Sequence, residues 1–172
     1  MATVREIYQL LNTLAPFSIQ MEFDNAGFLV GRGDQAVDRI LVSLDITEPV
    51  VSEAAERGAQ LIVSHHPVLF HPARSITDGD PTGRILLALV ERKIAAICAH
   101  TNLDAVENGV NTELARRVGL TDPVPLETDG TDEQGVPYGI GRVGELADGP
   151  LSLAEFAQRA KAALGLGGIR AL

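Results

Sequence analysis

The chain has 172 residues, 45% hydrophobic and 22% charged, enough for an ordinary core in one domain or in one domain with a small appendage. A formal net charge of −9 and a pI near 4.8 disfavour broad contact with nucleic-acid backbones or anionic membranes. Trp is absent and aromatics are 4%, so aliphatic side chains must fill the interior, and the one cysteine excludes an intrachain disulfide.

The first residues, Met1–Glu6, show no basic run leading into an apolar one. No stretch approaches the roughly 20 apolar residues of a membrane span, so a cytoplasmic protein is the default expectation. Thr3-Val4-Arg5-Glu6 fits a capping box, and Val4, Ile7, Tyr8 and Leu11 repeat at helical spacing as far as about Leu14. Phe23–Gly31 reads as a turn into a short strand, and Arg39–Leu44 as a central strand. A helix follows, with Thr47 as N-cap, Pro49 in its first turn and Gly58 at its end. Ala59–Val63 is a short apolar run suited to a fully buried strand. The loop from Pro67 to about Pro81 leads into a helix near Gly83–Arg92, and Ile94–Ala99 forms the next strand. A further helix, about Gly109–Val118, is stopped by Gly119. Residues 121–135 are polar and proline-bearing, suited to an exposed connection; Tyr138–Val143 suits an edge strand. Ser152–Glu155 opens a last helix, and Ile169–Leu172 resembles the opening of a strand.

Alternating strand and helix through residues 39–118 predict an α/β fold. Its mostly parallel sheet would be built from βαβ units with helices packed on it, followed by a short C-terminal strand–helix extension. The expected organisation is an α/β metal-binding domain over 1–120, with a linker and the start of a second, incomplete lobe over 121–172.

All 4 histidines lie between residues 65 and 100. Two predicted strands end in imidazole or carboxylate groups, one at Ser64-His65-His66-Pro67 and one at His100-Thr101-Asn102-Leu103-Asp104. Ligand sites in open α/β sheets lie beyond the carboxyl ends of strands, and imidazole with carboxylate suits a divalent transition metal. On a regular strand His65 and His66 would face opposite ways, but irregular backbone lets each reach a different ion of a two-metal site. Otherwise they are loop histidines, one packed and one solvated. Asp104 suits a carboxylate ligand, against a role in capping the following helix. His100 is a ligand, a residue that orients one, or an acid–base group beside the metal. Asp45 is either an outer hydrogen-bond acceptor or a plain residue leading into a helix. His71 and Arg74 suit solvated loop positions, with contact to a substrate anion as the alternative. Asp24–Gly27 is turn chemistry, and Cys98, within an apolar strand, is expected to be an inert buried thiol.

Four stretches in this order resemble the dinuclear-metal-centre hexameric protein family, whose members carry the description type 2 GTP cyclohydrolase I. They are Phe23–Gly31; Leu44-Asp45-Ile46-Thr47; Leu61–Phe70 with its His65-His66 pair; and Ala99–Asp104 with Gly109-Val110-Asn111. The resemblance covers about residues 1–120, and Leu151–Leu172 is similar to the helix that follows. Phe23 and Phe28 stand where the family tends to have Trp and Leu. The resemblance implies His65 and His66 as ligands to two different divalent ions (Zn, Fe, Mn or Ni), Asp104 as a carboxylate ligand, and a place near the metals for His100, which is the candidate catalytic group as a proton shuttle. It further implies a toroidal homohexamer and hydrolytic opening of a purine nucleotide ring, hence a small-molecule, nucleotide substrate; no membrane partner is expected, and the acidic charge balance disfavours a nucleic-acid one. Family members continue for roughly another half chain, which brings a further His and a metal-bridging Glu. The expectation is therefore the front half of a longer protein or a truncated form, with an incomplete ligand set. The rival to a metal-dependent hydrolase is a non-enzymatic assembly or regulatory protein whose metals stabilise a ring.

Overall fold

The computed structural model describes residues 1–132 and 134–170, and they form two units, Met1–Leu103 and the segment from Asp104 onward. The first unit runs β1 (Ala2–Thr3), α1 (Val4–Leu14), a 3-10 turn (Phe17–Ile19), β2 (Gly27–Val30), β3 (Ala36–Val37), β4 (Ile40–Ser43), α2 (Glu48–Glu56), β5 (Leu61–Ser64), α3 (Pro81–Glu91) and β6 (Ala95–Cys98). Helix α4 (Thr101–Ala105) carries the chain into the second unit. Among the described residues no helix is long and apolar enough to cross a membrane.

Local chemistry sets the helix starts. The Thr3 hydroxyl accepts from the Glu6 N–H at 3.3 Å while the Glu6 carboxylate accepts from the Thr3 N–H at 2.7 Å, closing the expected capping box. Thr47 caps α2, with Pro49 in its first turn. Helix α3 begins at Pro81, two residues before the expected Gly83, because the Asp80 carboxylate accepts from the Gly83 N–H at 2.9 Å and Pro81 is pre-set for the first helical position.

The α/β class is as expected. The sheet has the order β2-β6-β5-β4, with β4, β5 and β6 parallel and β2 antiparallel at one edge. Leu61, Ala95 and Ile97 face Val4 and Phe17 on one side; Ile62 and Ala96 face Val51, Ala54, Leu89 and Ile94 on the other. Burial on both faces explains why β5 and β6 read as continuous apolar runs rather than alternating ones.

Register then positions the site. Ser43, Ser64 and Cys98 stand side by side at the carboxyl ends of β4, β5 and β6. Backbone bonds continue the alignment one step further: His65 N–H to Ser43 O at 3.2 Å, His66 N–H to Leu44 O at 2.9 Å, and Ala99 N–H to Ser64 O at 2.9 Å. Asp45, His65, His66 and His100 therefore leave the sheet at one edge.

The second unit holds α5 (Val110–Val118), β7 (Leu120–Pro125), β8 (Gly130–Thr131), β9 (Pro137–Tyr138), β10 (Arg142–Leu146) and α6 (Leu153–Ala163). Several element expectations change here. Residues 121–135 are not a plain connection, since β7 pairs antiparallel with β10 and β8 with β9. A two-stranded ribbon tolerates Pro123 and Pro125 because each strand has an open edge where a missing N–H breaks no ladder. The single strand expected over Tyr138–Val143 is divided at Gly139–Gly141, where Gly141 has φ +70°. By contacts the chain divides between Leu103 and Asp104, and α5 packs on β7 and α6 within the second unit. The strand expected over Ile169–Leu172 is absent at Ile169 and Arg170; Ala171 and Leu172 lie outside the described residues.

Candidate metal centre

His65, His66 and His100 each place a ring nitrogen within 4.8 Å of the others. Ring centroids are 5.1 Å apart for His65–His66, 5.0 Å for His65–His100 and 5.5 Å for His66–His100. The adjacent pair turn toward one place because β5 ends at Ser64, where the strand alternation stops; the Ser64 hydroxyl donates to the His66 carbonyl at 2.8 Å and holds this turn.

Each ring is oriented through its Nδ1. That of His65 lies 3.0 Å from the Ala99 carbonyl, that of His66 lies 2.7 Å from Asp45 Oδ1, and that of His100 lies 2.9 Å from Asp24 Oδ1. All three partners are acceptors, which places the proton of a neutral imidazole on Nδ1 and makes Nε2 the basic nitrogen. Carboxylate or carbonyl acceptors behind imidazoles are the usual support of metal-binding histidines. Ligand nitrogens on one tetrahedral ion stand about 3.4 Å apart, so a spread of up to 4.8 Å suits one ion after small ring shifts or two neighbouring ions. The donor set fits a divalent transition metal.

The supports differ in exposure. The Asp24 side chain is 0% exposed, whereas Asp45 is 54% exposed beside a His66 side chain that is 45% exposed. Burial pushes the Asp24 carboxyl up, but hydrogen bonds from the Thr101 hydroxyl, His100, the Thr101 N–H and the Asn25 N–H outweigh it and hold the group below its ordinary value. The Thr101 hydroxyl and N–H lie 2.5 and 3.1 Å from Asp24 Oδ2. Asn102, fully buried, accepts from the His100 N–H at 2.9 Å and donates to the Ala15 carbonyl at 2.7 Å, so the turn that presents His100 is tied to the core.

Cys98 lies just beneath. Its thiol donates to the His65 carbonyl at 2.9 Å, and burial, then the Asp24 charge, pushes it up to about 12. A thiol held protonated and already engaged belongs to the scaffold, since only the thiolate is a strong ligand.

The structure thus brings His65, His66 and His100 together, with Asp45 behind His66 as an acceptor. Asp104 is not in the three-histidine group; it lies half-buried in α4, and its carbonyl accepts from Asn111. His71 and Arg74 are exposed in the loop after the pair. Sequence reasoning missed Asp24, which reads as a turn residue; its place in the Phe23–Gly31 stretch of the resemblance was the available signal.

An α/β protein with three supported imidazoles at the carboxyl ends of its parallel strands belongs to the class of candidate metalloproteins. More particularly, the chain belongs to the Duf34/NIF3 (NGG1p interacting factor 3) family, whose sequence pattern it matches over residues 2–172. A GTP cyclohydrolase 1 type 2 homolog of Clostridium perfringens is 34% identical over 167 residues, covering 97% of this chain and 62% of that protein. The crystal structure of a hypothetical protein of Staphylococcus aureus superposes with a TM-score of 0.87 at 29% identity, covering 98% of this chain and 66% of that one. Reduced HcgD from Methanocaldococcus jannaschii gives 0.76 at 32% identity, covering 93% and 59%. The chain spans about 60% of the length of the curated relatives it matches along nearly its whole extent.

Proposed function

We propose that this chain binds divalent metal and forms part of a dinuclear metal-dependent hydrolase acting on a purine nucleotide. The observation that carries the reading is the convergence of His65, His66 and His100 within 4.8 Å, each with its Nδ1 on an acceptor. The substrate class follows the relatives' description as GTP cyclohydrolase 1 type 2 homologs. Bound divalent ions supply Lewis acidity and make water a nucleophile near neutral pH. His65 and His66 hold the ions, and Asp104 is the proposed carboxylate ligand. His100, fixed by Asp24, presents Nε2 to the same space, as a ligand or as the group that takes a proton there. Half-exposed His66 marks the side open to solvent and substrate. The reading includes a cytoplasmic homohexamer. The rival, a regulatory assembly protein, predicts metal without turnover.

Elemental analysis of His65→Ala and Asp104→Ala tests the ligands; both are expected to lose metal while keeping the circular dichroism of the parent. Unchanged metal in both folded variants overturns the assignment. GTP turnover is expected only with metal present, and equal turnover after exhaustive chelation removes the metal-dependent mechanism.

A further inference from the structure

We infer that the cleft between the turn at Phe23–Asn25 and the loop at Leu69–Pro72 is a binding site for a planar nitrogen heterocycle, with Phe23 and Phe70 as its stacking wall. The cleft has a volume of about 440 Å³ and is lined by Phe23, Asp24, Asn25, Leu69, Phe70, His71 and Pro72. That volume lies within the range of small-molecule sites, about 300–1,000 Å³.

The aromatic residues are the unusual feature. In a chain with only 5 phenylalanines, two stand exposed in this one cleft, Phe23 at 63% and Phe70 at 39%. Their centroids are 6.4 Å apart at 49°, too close to admit a ring between them. They form one continuous angled wall, so a planar ligand lies on the open face of one ring and meets the edge of the other, the geometry that aromatic quadrupoles favour. The wall is held in place: the Asn25 side-chain amide donates to the Leu69 carbonyl at 2.5 Å, joining the turn to the loop. His71 meets Phe70 edge-on, with centroids 4.9 Å apart, and adds a ring nitrogen that can pair with a heteroatom.

Two further observations fix the ligand class. Among the described residues no Lys or Arg lines the cleft, and the fully buried negative charge of Asp24, itself one of the lining residues, lies behind its wall, so an anionic group gains nothing there. Cationic side chains gather instead around two larger cavities of about 570 and 560 Å³, which include Arg32, Arg92 and Lys93 and lie at the amino ends of β5 and β6. Phe70 also has its centroid 6.4 Å from that of His100, so a ring on this wall lies next to the three-histidine cluster. The inference deepens the nucleotide-hydrolase reading and rests on it for the reaction, while ring binding is independent of metal.

Saturation-transfer NMR with guanosine and, separately, ribose 5-phosphate tests the site on this chain, metal-loaded and chelated. Guanosine is expected to show transfer at its base H8 in both states, and ribose 5-phosphate none. Phe23→Leu and Phe70→Leu are each expected to weaken guanosine binding at least fivefold with unchanged melting, and Phe70→Tyr to retain it. Absent guanosine binding, equal transfer to ribose 5-phosphate, or unchanged binding in both leucine variants overturns the proposal. So does a sedimentation result in which the leucine variants lose self-association instead of ring binding, which would make the wall a subunit contact. Guanosine binding without metal-dependent turnover would sink the hydrolase reading and leave the ring site standing.

Discussion

Asp24 Oδ1 accepts a 2.9 Å hydrogen bond from His100 Nδ1 across 76 residues of sequence. This bond joins the turn before β2 to the turn after β6, and it decides which nitrogen of His100 faces the other two imidazoles. An orienting carboxylate of this kind is commonly worth 10–100-fold in metal affinity. Asp24→Asn is accordingly expected to weaken zinc binding by about that factor, measured by titration calorimetry, since the amide can present an N–H where His100 needs an acceptor. Thr101→Val is the control: it removes the hydroxyl bond to Asp24 without touching His100. It should lower the melting temperature and leave zinc affinity intact. Equal losses of affinity in the two variants would mean that Asp24 acts through general packing of the turn.

Cys98 provides a second expectation. A thiol pushed up to about 12 is almost wholly protonated at pH 8, and burial also bars access. Iodoacetamide is expected to leave Cys98 unmodified in the folded protein over hours and to label it at once in denaturant. Rapid native labelling, followed by intact-mass spectrometry, would show that the turn carrying His65 and His100 opens readily.

Much of this architecture was legible because burial on both faces writes itself into β5 and β6 as unbroken apolar runs, each ending in histidine. His65, His66 and His100 could be expected to meet because parallel strands deliver their carboxyl ends to one edge. Asp24 was not legible, since Asp-Asn-Ala-Gly has a sufficient local explanation as a turn and its partners, His100 and Thr101, are tertiary. The ribbon of β7 and β10 was hidden for the opposite reason. Pro123, Pro125 and neighbouring acidic residues are statistically a linker, and only pairing along one edge lets them form a strand.

Helix α6 gives a pH-dependent expectation. The Ser152 hydroxyl and backbone N–H both hydrogen-bond the Glu155 carboxylate, which holds that carboxyl below its ordinary value against a small opposing effect of burial. A depressed carboxyl contributes stability that is fully present above its unfolded pKa, about 4.3, and is lost as pH falls through the lower folded value. Glu155→Gln should therefore be less stable than the parent at pH 7 and converge with it as the pH falls through the lowered folded value. Thermal melts across that range check the sign, and a gap that widens on acidification would contradict the capping role. Ser152→Ala, which removes the cap itself, should cost about 1 kcal/mol at neutral pH.

The strongest polar anchor of the second unit is Arg142. Its guanidinium donates to Thr112 Oγ1 at 2.8 Å, to the carbonyls of Gly139 and Gly141 at 2.7 Å each, and to those of Ala105 and Val106 at 3.1 and 2.7 Å. Those acceptors lie at the end of α4 (Ala105 and Val106), on the Thr112 side chain of α5 and in the turn before β10, so one planar fork gathers three separate stretches of chain. Burial draws the Arg142 pKa below the ordinary arginine value, while Glu107 nearby favours its charge. An ammonium has three donors on a flexible stem and cannot reproduce the fork, so Arg142→Lys keeps the charge and leaves carbonyls without a donor. Hydrogen bonds to charged groups contribute about 1.5–3 kcal/mol each, and partial replacement by lysine and water should leave a net loss of about 2 kcal/mol. Hydrogen exchange is expected to show faster opening of β7, β10 and α5, with β5 and β6 protected as in the parent. Uniform acceleration throughout both units would show that they unfold together, and unchanged exchange would mean that apolar packing of α5 on β7 and α6, rather than Arg142, holds the second unit.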